Sequence, residues 1–206
     1  VGLADKISAQ FAGDELNSTE QRAVLHTVLR APDAMKVDVL GAQAQAVIDT
    51  EAKMAAIVDD VQSGRVNSVT GEKFTDILAI GIGGSYYGVK VALSALVPYH
   101  KKGLKAHVLA NVDGDAAQEK FAKLNASTTL VVVISKTFST QETLLNATIV
   151  KAWMLNALTD THYSSADIIA QHWYAVSTNI AAATAFGIDA ENILPMWDWV
   201  GGRFSL

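Results

Sequence analysis

The sequence holds 206 residues without cysteine; 50% are hydrophobic and 18% charged, and 16 Lys and Arg stand against 21 Asp and Glu for a formal net charge of -5. That composition excludes a disordered or collagen-like chain, removes disulfides, thiolate metal sites and cysteine nucleophiles, and offers no basic face for nucleic acid. No apolar run approaches the roughly 18 residues of a membrane span, so the expectation is a cytoplasmic protein whose partners include neither membrane nor nucleic acid.

The chain opens on Val1, without an initiator Met or a signal-peptide pattern, which reads as a processed or cut start. Residues 1–64 read as helical. Leu3, Ile7 and Phe11 recur at helical spacing, and Ser18 with Gln21 forms a capping-box pattern that opens a second helix through Leu25 and Leu29, ended by Pro32. Val47, Met54, Ile57, Val58 and Val61 make the apolar stripe of a long helix that closes at Ser63 and Gly64.

From Asp76 short apolar runs alternate with helical segments, the pattern of parallel βα units. Strands are predicted over 76–82 (DILAIGI), 105–110, 128–134 (TTLVVVI) and 172–177, with a fifth over 192–196. Helices are predicted through Leu93 to Pro98, over 116–124, from the SKTF turn to about Leu158, and over 180–186. The whole reads as α/β: a three-layer αβα sandwich around a central parallel sheet of about five strands, flavodoxin-like, in one domain with the N-terminal helices packed on it.

Ligands of open parallel sheets bind beyond the carboxyl ends of the strands, where helix N-termini present free N–H groups. Two turns fit that place. Gly81-Ile82-Gly83-Gly84-Ser85 lets backbone approach a ligand, but Tyr86 stands where a dinucleotide fingerprint needs glycine, and Val89 breaks a P-loop after Gly88. A tight turn without ligand remains open there. In the second turn Ser135, Thr137, Ser139, Thr140 and Lys136 crowd a helix start, as a phosphate cradle requires, although a capping box between Ser139 and Glu142 accounts for part of this polarity. Near the chain end, Arg203 follows Gly201-Gly202 and is open to two readings, an oxyanion ligand or a salt bridge to Asp198. His26, His100, His107, His162 and His172 lack metal-ligand spacing and read as structural or exposed, so no metal is expected.

Three stretches together, GIGGS at 81–85, SKTFSTQET at 135–143 and WDWVGGRFS at 197–205, resemble the glucose-6-phosphate isomerase (phosphoglucose isomerase) family, whose core is a sugar isomerase (SIS) domain. Arg22-Ala23-Val24-Leu25-His26, Thr70-Gly71 and Asn111-Val112-Asp113-Gly114 also look like that family's. The resemblance implies reversible isomerisation of glucose 6-phosphate and fructose 6-phosphate through a cis-enediol, without metal or cofactor, in a full-length homodimer. It carries phosphate binding over to Gly84, Ser85, Ser135, Lys136, Thr137 and Thr140, stabilisation of the enediolate to Arg203, and orientation of a catalytic histidine to Glu142. The family's glutamate base, ring-opening histidine and a late lysine fall beyond Leu206 in sequence, so the chain reads as a SIS-domain fragment cut at both ends and inactive alone. Tyr86-Tyr87 replaces the Asp-Leu usual after GIGGS. A noncatalytic SIS module that binds sugar phosphates for sensing or regulation is the competing reading.

Overall fold

The sheet is built around TLVVVI. In the computed structural model, which describes residues 2–159 and 162–200, strand β3 (Thr129–Ile134) lies at the centre of five parallel strands in the order β2-β1-β3-β4-β5. Its neighbours are β1 (Asp76–Ile80) and β4 (Trp173–Ser177), with β2 (Lys105–Leu109) and β5 (Ile193–Pro195) at the edges. Ile80 stands level with Val133 on one side and Leu109 on the other. A strand covered on both faces carries apolar residues at successive positions rather than alternate ones, which is why β3 is the most β-branched run in the chain.

The face carrying Leu78, Ile80, Val131, Val133, Trp173 and Ala175 holds the main core. It is covered by α5 (Gly114–Phe121), α6 (Gln141–Leu158), α7 (Ser165–His172) and α8 (Ile180–Phe186). Val150, Met154 and Ile168 are fully buried there, each side chain worth about 1.5–3 kcal/mol relative to exposure, and the Trp173 indole N–H donates to Met154 Sδ at 3.2 Å. The chain moves from β1 to β2 in the direction opposite to its later crossovers, so right-handed connection puts α4 (Gly84–Ala95) on the other face. On that face Val61 of α3 (Ala44–Ser63) packs with Phe74, Leu130 and Tyr174, and an apolar cleft of about 270 Å³ between Met54, Ile57, Val58, Leu130 and Val132 stays open.

The N-terminal segment departs from its sequence pattern. Helix α1 (Leu3–Ala12) forms as its spacing predicts, yet none of its residues is buried. Ser18 and Gln21 do not open a helix. Asn17 accepts from Thr19 Oγ1 at 2.8 Å and donates to Glu20 at 2.8 Å, closing a turn sealed by a bridge between Asn17 and Arg22, with Gln21 in the left-handed region at φ 53. A short 3-10 helix, His26–Arg30, takes the place of the predicted α-helix. Pro32 then starts a helix instead of only ending one: α2 (Asp33–Leu40) follows it, docked on α3 by the buried Lys36, whose ammonium meets Glu51 at 2.5 Å and Asp33 at 3.2 Å. Helix α7 is also absent from the sequence reading, and its last residue is His172, so β4 begins one residue later than predicted.

His172 is fully buried, and both ring nitrogens are satisfied: Nδ1 lies 2.8 Å from the Thr129 carbonyl and Nε2 accepts from Val69 N–H at 3.1 Å. Only a neutral imidazole, protonated at Nδ1, makes both bonds. Burial holds its pKa below the ordinary 6.5, opposed by the carbonyl of Thr129. The unfolded chain therefore binds the extra proton first as pH falls. The stabilisation from neutral His172 is complete above 6.5 and is lost as pH drops from there toward the folded pKa. Urea midpoints should fall on acidification through this window. His172→Asn should lower stability at pH 8 by about 1–3 kcal/mol and flatten that slope; an unchanged slope in the variant would assign the acid loss to other groups.

Candidate functional site

Strand order reverses between β1 and β3, so the turns that leave these two strands lie side by side at the carboxyl edge. After β1 the chain turns through residues 81–83 and enters α4 at Gly84. Gly83 sits at φ 57 and ψ -123, a conformation open chiefly to glycine. Gly81 is buried against the neighbouring turn: a Cβ there would lie 2.8 Å from the Ser85 carbonyl oxygen and 3.2 Å from that of Ile134. The requirement for glycine thus comes first from the tight turn into α4, whose Ser85 carbonyl is the nearer obstacle, and second from the end of β3; Ser85 itself is half-buried.

The second turn is shaped by Phe138. Its ring is buried in the main core, edge-on to Phe186 with centroids 5.9 Å apart, while its backbone adopts φ 49. Left-handed backbone at a non-glycine residue costs about 1–2 kcal/mol, which burial of a phenylalanine at about 1.5–3 kcal/mol offsets. With Phe138 turned in, Thr137 and Ser139 are turned out and exposed. The turn's carbonyls are taken by the β4–α8 loop: Lys136 C=O accepts from Thr178 N–H (2.8 Å), Ser177 Oγ (2.9 Å) and Thr178 Oγ1 (2.7 Å), and Thr137 C=O accepts from Asn179 Nδ2 (3.1 Å). In a trans peptide C=O and N–H point in opposite directions, so the Thr137 N–H faces away from that loop.

The hydroxyls here are not consumed by capping. The capping box expected between Ser139 and Glu142 is absent: Ser139 Oγ donates to Thr137 Oγ1 at 2.7 Å, Glu142 is exposed, and Thr140, which caps α6, makes no side-chain cap bond. A helix N-terminus with the partial positive charge of 18 residues behind it is left without an internal acceptor. Ser135 is 2% exposed, and its Oγ is buried with no partner. An unpaired buried hydroxyl costs about 1–3 kcal/mol, a cost that a ligand accepting or donating at that atom removes.

Lys136 contributes its backbone to this turn but sends its side chain elsewhere. Its ammonium donates to the Asp198 carbonyl at 2.6 Å, and burial, with Arg22 next in effect, holds its pKa below the ordinary lysine value. Asp198 in turn pairs with Arg22 at 3.4 Å. Arg22 was not legible as a site residue, since the pairing spans distant parts of the chain. Arg203 lies outside the described residues. Among the described residues no cluster of three or more His, Asp or Glu could hold a metal ion, and no helix is long and apolar enough to cross a membrane.

Sheet order and switch point define a doubly wound α/β fold of the flavodoxin type, with its switch point between β1 and β3. A solved glucose-6-phosphate isomerase from Chlamydia trachomatis shares this fold, with a TM-score of 0.69 at 24% identity over 97% of this chain and 37% of that one. Residues 1–206 match the family described as phosphoglucose isomerase, and the chain belongs to that family. Among curated relatives, glucose-6-phosphate isomerase 2 of Colwellia psychrerythraea is 58% identical over 210 residues, covering 100% of this chain and 38% of that protein. Glucose-6-phosphate isomerase of Shewanella denitrificans is 51% identical over 205 residues, covering 99% of this chain and 37% of its own length. The chain therefore spans well under half the length of these relatives.

The close packing around Gly81 has a direct consequence. Gly81→Ala should lower stability by about 1–3 kcal/mol in urea unfolding, because backbone on both sides of the added methyl must move. Gly114→Ala, where nothing lies within 4 Å, should change stability by less than about 0.5 kcal/mol. Equal effects would place the glycine requirement in chain entropy rather than in the junction.

Proposed function

We propose that this chain is the phosphate-seating SIS domain, single over residues 1–206, of a cytoplasmic glucose-6-phosphate isomerase that acts as a homodimer, interconverting glucose 6-phosphate and fructose 6-phosphate. The observation that carries the reading is the orphaned Ser135 hydroxyl at the meeting of two helix-initiating turns. In this reading the phosphate takes bonds from Ser85, Ser135, Thr137 and Thr140, and from backbone N–H groups at Gly84 and the Lys136–Thr137 turn. Hydrogen bonds to a charged partner are worth about 1.5–3 kcal/mol each, so a few of them outweigh repulsion from a net charge of -5 spread over the surface.

The sugar then extends from the seat toward the segment that follows β5. Isomerisation moves a proton between C1 and C2, and negative charge develops on the carbonyl oxygen as the proton leaves carbon. Arg203, the cation behind Gly201-Gly202, is assigned to that oxygen, where it stabilises the enediolate more than the neutral sugar. Glu142, exposed in the first turn of α6, is assigned to orienting a histidine of the full-length protein.

Two variants separate grip from chemistry in the full-length enzyme. Ser135→Ala should leave the ligand-free protein as stable as before, or more stable by up to about 1 kcal/mol, because it removes an unpaired hydroxyl, while weakening inorganic phosphate binding about tenfold or more. Destabilisation without loss of phosphate affinity would make Ser135 a structural residue. Arg203→Ala should lower kcat by roughly a hundredfold in a coupled assay with a smaller change in KM, as removal of one oxyanion donor does. A rise in KM with kcat intact would assign Arg203 to the phosphate or to structure.

A further inference from the structure

The residues 197–200, which lead into Arg203, are held from two sides. On the cradle side, Lys136 Nζ donates to Asp198 C=O at 2.6 Å. On the N-terminal side, Arg22 meets Asp198 Oδ1 at 3.4 Å, Leu25 N–H donates to Trp199 C=O at 3.1 Å, and Trp199 Nε1 donates to Gln43 Oε1 at 2.9 Å. The Trp197 and Trp199 rings stack 5.4 Å apart at 14°. Asn17, Glu20, His26, Lys136, Asp198 and Trp199 line a gap of about 10 Å³, no larger than a single water. The Trp199 carbonyl and the Asp198 and Trp199 side chains are thus held by residues more than a hundred positions away on one side, and the Asp198 carbonyl by the turn after β3 on the other.

We propose that Lys136 and Arg22 are positioning residues that fix this strap relative to the turn after β3; the inference rests on the isomerase reading, with its assignment of Arg203, for its catalytic consequence, though not for the seating itself. Lys136 is the link. Its carbonyl is locked to Ser177 and Thr178 beside the cradle, while its ammonium grips the strap, so the turn and residues 197–200 share one reference. A point charge with several donors suits a main-chain carbonyl, and Arg22 pairs with the carboxylate of the same Asp198. Distance between grip and chemistry is then set by the protein rather than by the substrate, as near-attack geometry requires.

The test uses Lys136→Met, Arg22→Met and Lys136→Arg in the full-length protein, with two readouts. The first is the near-ultraviolet circular dichroism of the Trp197 and Trp199 stack, assigned by difference against Trp197→Phe, with far-ultraviolet spectra confirming that each variant is folded. Both methionine variants should lose that signal, and Lys136→Arg should restore it. The second is kinetic: both methionine variants should lower kcat about tenfold or more while inhibition by inorganic phosphate stays within about twofold. Arg22 lies outside the cradle, so a matching effect there is what a phosphate ligand would not produce. Retention of the tryptophan signal in Lys136→Met, or loss of phosphate affinity with kcat unchanged, overturns the proposal. If the wild-type protein does not isomerise the sugar phosphates, the functional reading fails, and the tryptophan signal alone decides whether the strap is seated as proposed.

Discussion

Burial of Phe138 against Phe186 is the contact on which the candidate site depends. The ring enters the core from a left-handed backbone, and the same turn leaves Thr137 and Ser139 exposed while the Lys136 and Thr137 carbonyls dock on the β4–α8 loop. Ser135, one turn earlier, is carried inward with its hydroxyl unpaired. The polar chemistry of the edge is thus a by-product of apolar packing. A turn anchored this way is ordered before any ligand arrives, and the entropy of ordering it falls on folding instead of on binding.

Much of the fold is legible in the sequence because the sheet depends on local signals. TLVVVI, DILAI and WYAVS are runs that only a strand buried on both faces explains. The missed elements depend on other forces. Helix α2 carries Met35 and Val37 half exposed and is held by a buried lysine paired to α3, so its apolar pattern is weak. Helix α7 does carry a local signal, a capping box between Ser164 and Asp167, but with aspartate at the third position in place of the longer acid usually sought. Where Ser18 and Gln21 would open a helix, Asn17 takes the Glu20 and Arg22 N–H groups in a turn instead.

The site divides in the same way. Glycines and hydroxyls at two strand ends are readable from composition, since residue type alone limits what such turns can do. The direction of the Lys136 ammonium is not, because its acceptor is a main-chain carbonyl 62 positions away, and neither is Arg22, whose partner Asp198 arrives only through the fold. His172 belongs with these. Its sequence context marks nothing, yet it joins the loop at Val69 to the central strand. Long-range polar contacts therefore decide how the turn after β3, the strap and the N-terminal segment sit together, while the short-range pattern decides only that each exists.

The central claim is that the turns after β1 and β3 act as one anion seat. The most direct measurement is an amide chemical-shift titration with glucose 6-phosphate, inorganic phosphate and glucose. The account predicts shifts at residues 83–85 and 135–140 that saturate together with either phosphate-bearing ligand and do not appear with glucose. Shifts confined to one turn, different midpoints at the two, or an equal response to glucose would contradict it.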